Sequence, residues 1–258
     1  MKYFNIFGKT KKQSSNSVSE QSEFEQINVF RSLPKTEWKS AYNALNNIIG
    51  ANLKAYGFKK KGRKHYRLTN DLLEVIDIDN RGSWSGATDT LEIRIGLVPY
   101  CWEGLTNAYY VVGSKKIEDI DPTSRKHFRI SQEYEILAHY LSERIINNIL
   151  PFFEAYNSTE KIVNQPYIFP FYSKCGGEDI YKSQFLILFS ELKQHQVKEA
   201  IKILEHEIEY HQRLENIDIA KQWNKLKALV ENNNWTEINS VLSENEKNVL
   251  NSLKISLP

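Results

Sequence analysis

The chain has 258 residues, of which 34 are lysine or arginine and 32 are aspartate or glutamate, so its formal net charge is only +2. Hydrophobic residues make up 41% of the sequence, which suffices for a folded core and excludes a wholly disordered chain. The near balance of charge also excludes a uniformly basic nucleic-acid binder. The charge is nevertheless unevenly distributed, because residues 1–70 hold 14 basic and 4 acidic residues and the remainder is net negative.

Cysteine content and hydropathy indicate the cellular setting. Cys101 and Cys175 are too few for a disulfide framework or a cysteine zinc site, so a reducing compartment is expected. No apolar run is long enough to span a bilayer, and residues 1–12 lack the apolar segment of a signal peptide. A cytoplasmic location is therefore expected, with weak attachment of residues 1–12 to an anionic membrane surface as an alternative. No nucleotide-binding motif occurs, and no cofactor is expected.

In chain order, the sequence first predicts a flexible polar tail over residues 1–33, which is rich in serine. Residues 34–156 follow as an α+β domain. Its first helix is indicated by apolar residues at helical spacing from Trp38 to Leu53. A second long helix is expected to begin after Ser131, which can cap it, and to kink or end at Pro151.

Between the two helices the pattern changes to that of strands. Residues 65–68 alternate, residues 72–79 are rich in aliphatic and β-branched side chains, and residues 91–97 alternate between apolar and polar. Residues 80–90 are interpreted as a glycine- and serine-rich loop that carries Trp84. Because the connections are of hairpin length, we expect an antiparallel sheet flanked by the two long helices.

The last third of the chain is predicted to be helical. Residues 157–177 are interpreted as an irregular connection, and residues 178–258 as an all-helical C-terminal subdomain. Apolar stripes beginning near Val197, Trp223 and Trp235 indicate three of its helices. No residue-level repeat recurs across these helices, so the sequence does not predict a solenoid.

Four stretches of the α+β region carry a family resemblance: LKAYGFKKKGRKHYR (Leu53 to Arg67), EVIDIDNRGSWSG (Glu74 to Gly86), LEIRIGLV (Leu91 to Val98) and LPFFEAY (Leu150 to Tyr156). In pattern and spacing, residues 36–156 resemble the bacterial family called domain of unknown function 4304. The resemblance implies no catalytic residue, so no functional role is carried over from it. Members are similar in size and composition to genes of bacterial conflict systems, which implies a toxin-neutralising role by association.

The most distinctive local feature is a basic run at the turn from the first helix to the first strand. The candidate partner-binding residues are the side chains of this run, together with one loop aromatic: Lys59, Lys60, Lys61, Arg63, Lys64, Tyr66, Arg67 and Trp84. Such cations steer an acidic protein partner, and aromatic residues anchor interfaces. The leading hypothesis is a non-enzymatic protein-binding module, in its concrete form an immunity-type inhibitor of a toxin. Nucleic-acid association through residues 59–67 is the alternative.

A hydrolase is the further alternative, because acidic and basic residues recur on the predicted strands. Asp77 and Asp79 alternate on one strand and so share a face, and the other acid–base candidates lie on neighbouring strands: His65, Arg67, Glu92 and Arg94. Leu73 and Val75 are expected on the face of Asp77, which requires a bulge or partial burial. A solvated, salt-bridged sheet face is the competing interpretation.

The histidines do not predict a metal site. His206 and His211 are five residues apart on a predicted helix, which rotates their rings by about 140° around its axis. Two histidines that share one ion lie four residues apart, with both rings on one face. The sequence therefore predicts an exposed charged helix at this position.

Overall fold

The computed structural model describes residues 31–69, 72–84, 88–100, 112–125, 127–164, 178–252 and 255. After a 3₁₀ turn at Lys35–Glu37, its first half contains α1 (Trp38–Lys54), β1 (Lys59–Lys61), β2 (Lys64–Leu68), β3 (Leu72–Trp84), β4 (Thr88–Pro99), β5 (Val112–Lys116), α2 (Ile117–Ile120) and β6 (Phe128–Arg129). Helices follow: α3 (Tyr134–Arg144), α4 (Leu150–Ala155), α5 (Thr159–Val163), α6 (Glu178–Lys193), α7 (Val197–Arg213), α8 (Ile217–Glu231) and α9 (Trp235–Ser252).

These elements form an α+β protein with an antiparallel sheet followed by C-terminal helices, as the sequence predicts. The strand order is β1-β2-β3-β4-β5, and β6 pairs with β4. From β1 to β5 each strand pairs with the next one in sequence, whereas β6 pairs with β4, which it does not directly follow. The connection between β1 and β2 contains Gly62 at φ +61°, a conformation that glycine adopts without strain.

Both long helices pack against the same face of the sheet. Asn46 of α1 hydrogen-bonds His65 of β2, and Glu154 of α4 pairs with Arg67 of the same strand. His65 and Arg67 lie two residues apart on a strand and therefore share a face. The apolar stripe of α1 is buried in this layer, and the apolar cluster continues from it into the C-terminal helices.

The second long helix does not end at Pro151, which was one of the two expected outcomes there. The chain stays helical from Tyr134 to Ala155 through a π-helical turn at Ile145–Ile149. In this wider turn the Leu150 N–H donates to the carbonyl five residues back. Pro151 thus lies in the first turn of α4, a position where a missing N–H is tolerated.

Residues 31–33, at the end of the predicted tail, contact the folded part of the chain. Arg31 forms an ion pair with the buried Glu133, and the Gln132 N–H donates to the Arg31 carbonyl at 3.0 Å. These long-range contacts hold residues 31–33 on the folded part of the chain. The membrane-surface alternative concerns residues 1–12, which lie outside the described part. No helix within the described ranges is long and apolar enough to cross a membrane.

Two predicted irregular segments contain regular structure. Thr159–Val163 is helical, because the Ser158 hydroxyl accepts a hydrogen bond from the Lys161 N–H and caps the segment. Residues 165–177 of the predicted connection lie outside the described part. In the predicted loop, Trp84 belongs to β3 and pairs with Thr88 of β4, beyond a register shift that follows Asn80. Ladder hydrogen bonds use the backbone alone, so residues of low strand propensity can extend a hairpin.

The connections of the helical subdomain share one backbone geometry, although their residues differ. His195, Glu215 and Asn233, each at the centre of a three-residue connection, have φ values of 57°, 58° and 52°. In the first of them the Gln196 N–H donates to the Glu191 carbonyl at 2.9 Å, and the other two repeat this bond. This hydrogen bond is the one that defines a Schellman motif, in which the residue with positive φ is usually glycine. The repeat was not recognisable in sequence because none of these positions holds glycine.

Candidate functional site

The basic turn, residues 59–67, presents its lysines at the edge of the sheet. Lys59, Lys60 and Lys61 form the edge strand β1, and all three are exposed. Within the described part of the chain, neither Lys59 nor Lys61 forms an ion pair, and the Lys60 Nζ donates to Asn47 Oδ1 of α1 at 2.6 Å. All three ammonium groups meet solvent, with Lys59 and Lys61 on one side of the edge strand and Lys60, in register with His65, on the other.

His65 attaches the turn to α1. Its ring is buried, and Nε2 lies 2.6 Å from Asn46 Oδ1, while Asn46 Nδ2 donates to the Gly62 carbonyl at 2.9 Å. Because an amide oxygen only accepts, Nε2 carries the ring proton. Burial, assisted by the charge of Lys60, lowers the pKa of His65 to about 4, so the ring is neutral at pH 7. Gly50 permits this approach, since a Cβ there would lie 3.1 Å from the ring.

We expect His65 to make the free energy of unfolding rise by up to about 3 kcal/mol between pH 4 and pH 6.5. In this window the unfolded chain binds a proton on the ring and the folded chain does not, so stability is lost as pH falls. Urea unfolding of wild type and His65→Gln at several pH values isolates this effect. The difference in the free energy of unfolding between wild type and His65→Gln should become smaller as the pH falls toward 4. A difference that does not change with pH would contradict a buried neutral ring.

Arg67 is held by two carboxylates on the helix-covered face. Its Nε lies 2.6 Å from Glu74 Oε2, and its Nη2 lies 2.7 Å from Glu154 Oε1. The guanidinium also covers the ring of Phe58, 5.1 Å from the centroid. Burial raises the pKa of Glu74, and Arg67 opposes that rise. Arg67, a predicted partner-binding residue, is the counter-ion of a buried carboxylate.

The opposite sheet face carries a row of charges across four strands. In register these residues are Lys64, Asp77, Arg94 and Lys116. Arg63 bridges two carboxylates there, with its Nε 2.8 Å from Asp77 Oδ1 and its Nη1 on Asp79. Both aspartates are buried, at 1% and 6% exposure. Burial also lowers the pKa of Lys64, and Asp77 opposes this effect. Arg63 and Lys64 are thus linked to the sheet's own acids.

The structure brings four of the six acid–base candidates to this face: Asp77, Asp79, Glu92 and Arg94. His65 and Arg67 lie on the other face, because His65 is in register with Ile76 rather than with Asp77. Arg94 Nε lies 3.0 Å from Glu92 Oε1, which makes the face ion-paired. A bulge or burial was expected at Asp77 because Leu73 and Val75 share its face, and the structure shows burial. The alternative of a solvated sheet face is not observed at Asp77 and Asp79.

The remaining candidates are less informative. Tyr66 is half-buried, and the side chain of Trp84 lies outside the described part. His206 is largely exposed and His211 is buried, so the two rings lie on different sides of α7 as their spacing predicts. The prediction of an exposed helix is wrong on the side of His211, where Glu207 is also buried. Among the described residues, no three histidine, cysteine or acidic side chains are grouped to hold a metal ion.

Three residues at the turn were missed in the sequence. Asn46 and Glu74 are buried at 2% and 0% exposure, and Asn47 binds Lys60. Asn46 adjoins the apolar stripe of α1, and Glu74 interrupts the apolar run of β3. A polar residue within an apolar pattern indicates a buried hydrogen bond or ion pair, because burial without a partner is costly. That signal was present for Asn46 and Glu74 but not for Asn47.

Comparison of the chain with models of protein families, with curated proteins and with solved structures found no match.

Proposed function

We propose that the chain is a non-enzymatic protein-binding module, which recognises an acidic surface of another protein through its basic turn. The observation that carries this proposal is that Lys59, Lys60 and Lys61 are all exposed on an edge strand. The adjacent strand is held to α1 by the hydrogen bond between His65 and Asn46. Because His65 and Arg67 hold the strand against the helices, little order has to be gained on binding. Lysines on an edge also oppose pairing with another copy's edge.

Nucleic-acid association through the same turn has less support. Arginine is the preferred residue for bidentate phosphate contacts. Arg63 is shared by Asp77 and Asp79, and Arg67 is held by Glu74. A phosphate would have to displace carboxylates that are themselves buried, at the cost of leaving their charges unpaired.

A hydrolase also has less support among the described residues. The general acid–base role assigned to Asp77 or Asp79 needs a carboxylate that reaches a substrate, but both are buried beneath Arg63. His65, the candidate base, is on the other sheet face, where Asn46 holds its ring.

The concrete form of the proposal is a cytoplasmic, immunity-type inhibitor of a bacterial toxin. It is supported by the resemblance of residues 36–156 to the domain of unknown function 4304 family, whose membership we propose on the same residues. A rigid basic surface suits such a role, because complementary charge accelerates capture of a partner. If a toxin gene adjoins the gene for this chain, its product is the first partner to test.

Reversing the charge of Lys59, Lys60 and Lys61 to glutamate should lower the association rate constant with that partner at least about tenfold at low salt. The rates are measured by stopped-flow mixing of the full chain with the adjacent gene's product, after light scattering has established a stoichiometric complex. Lys225→Glu, an exposed lysine on α8, is the matched control and should leave the rate within about twofold. Unchanged rates in the triple variant would remove the basic turn as the contact surface.

A further inference from the structure

A second set of exposed polar residues continues the basic turn along α1. Residues four apart on a helix are neighbours on its surface, each turned by about 40° from the previous one, and these positions form what we call the α1 ridge: Lys35 in the 3₁₀ turn, then Lys39, Asn43 and Asn47. Asn47 Oδ1 accepts the hydrogen bond from Lys60 Nζ at 2.6 Å. The α1 ridge therefore meets the basic turn at Lys60.

The other end of the α1 ridge borders a depression of about 460 Å³ between α1 and β3, lined by Lys35, Trp38, Lys39, Tyr42, Asn43 and Asn80. No carboxylate is among these lining residues. Within the described part of the chain, Lys35 and Lys39 form no ion pair. The depression therefore offers a ligand two ammonium groups beside the Asn43 amide, a combination that favours an anion.

The aromatic residues of the depression are held in place by the fold. Trp38 is 7% exposed, and its Nε1 donates to the Leu33 carbonyl at 3.0 Å. The Tyr42 hydroxyl donates to the Ile78 carbonyl of β3 at 2.7 Å. These rings form a rigid floor, so a ligand contacts preorganised walls and meets its charge partners at the rim.

We propose that the α1 ridge and its depression form a docking groove for an extended acidic segment of the partner protein, with carboxylates at alternate positions. The inference depends on the proposed function, because it assumes a protein partner. Successive ridge positions rise about 6 Å along the helix. Alternate side chains of an extended chain are about 6.8 Å apart. The accumulated mismatch of about 2 Å over the α1 ridge is within the reach of flexible lysine stems.

An acidic segment fits this groove better than a single-stranded nucleic acid does. Bases bind such grooves by stacking on exposed aromatic rings. Trp38 is buried and Tyr42 is half-buried, with its hydroxyl bonded to the backbone. The groove also lacks arginine, the side chain that matches phosphate geometry. Lysine and amide donors are sufficient for single carboxylates spaced along a peptide.

The probe is a capped heptapeptide with glutamate at every odd position and threonine between, titrated into the full chain at low salt. We expect Lys35→Glu/Lys39→Glu to weaken its binding about tenfold, since two attractive pairs become repulsive. Lys225→Glu is again the matched control. A block peptide of the same composition, with its glutamates consecutive, should bind wild type several-fold more weakly. Circular dichroism of each variant checks that α1 remains folded.

The outcomes separate this inference from the proposed function. If the ridge variant binds the alternating peptide as wild type does, or if the block peptide binds equally well, the docking groove is wrong, while the basic turn remains a separate question. A heptathymidine that binds more tightly than the peptide, and with the same dependence on Lys35 and Lys39, would also overturn the acidic occupant. Failure of the proposed function shows instead as an unchanged association rate in the Lys59, Lys60 and Lys61 variant.

Discussion

Replacing Arg67 by methionine should lower the free energy of unfolding by about 3–5 kcal/mol. The substitution keeps an unbranched apolar stem over Phe58 but removes the counter-ion of Glu74, which is 0% exposed. A buried carboxylate without its partner keeps the full cost of desolvation. Chemical denaturation of the full chain at pH 7 measures the loss.

Two companion variants separate the buried charge from simple loss of packing. Glu154→Ala removes the other carboxylate on Arg67, but its side chain is 61% exposed, so we expect a loss of at most about 1 kcal/mol. The double variant Arg67→Met/Glu74→Leu should recover most of the stability, because no charge then remains buried. A double variant as unstable as Arg67→Met alone would show that packing, not charge, dominates at this position.

The pH dependence of Arg67→Met provides an independent reading. Burial already raises the pKa of Glu74, and Arg67 is the group that lowers it. In Arg67→Met the pKa of Glu74 should therefore rise further. A carboxylate whose pKa is higher in the folded than in the unfolded chain stabilises the fold more as pH falls through the folded pKa. The deficit of Arg67→Met relative to wild type should therefore shrink on acidification.

Phe153→Ala should lower the free energy of unfolding by about 3–5 kcal/mol. Phe153 lies in α4 and is 0% exposed. Its ring stacks on that of Phe58, the residue immediately before β1, with the ring centroids 6.1 Å apart. Removing the ring leaves a cavity that the surrounding helix and strand cannot fully close. Denaturant unfolding monitored by circular dichroism measures the loss.

The adjacent Phe152 is the matched control, because it is the same residue type in the same helix but only partly buried. We expect Phe152→Ala to cost at least about 1 kcal/mol less than Phe153→Ala, in proportion to the apolar area removed from the core. Equal losses would mean that the Phe58–Phe153 contact has no special part in holding the helix on the sheet.

Arg67→Met and Phe153→Ala both remove contacts that hold the basic turn against α4 and the sheet. Phe58 immediately precedes the turn and Arg67 is its last residue, and α4 contacts both through Phe153 and Glu154. The same contacts that stabilise the fold therefore also keep the lysines of β1 at fixed positions. Loss of these contacts should weaken partner binding indirectly, through disorder of the turn, whereas charge reversal at Lys59, Lys60 and Lys61 acts on the surface alone.

The sequence by itself determined the α+β class, the course of α1 and the central strands. Each of these has a local cause: apolar residues recur at 3.6-residue spacing along α1 and alternate along β4, and such periodicity predicts which face is buried. The structure differs from the sequence-based predictions where backbone hydrogen bonds override the secondary-structure preferences of the side chains. The extension of β3 to Trp84 and the helix through Pro151 are examples.

Only the tertiary structure decided which charges of the basic run face solvent. In sequence, the lysines and arginines of residues 59–67 are equivalent cations, and His65 is one more polar residue among them. Their partners, Asn46, Glu74, Asp77 and Glu154, lie up to 87 residues away, so strand register and helix packing choose them. The charges of the basic run thus divide into arginines that pair with buried carboxylates and lysines of β1 that are exposed, because a buried charge requires a partner and an exposed one does not.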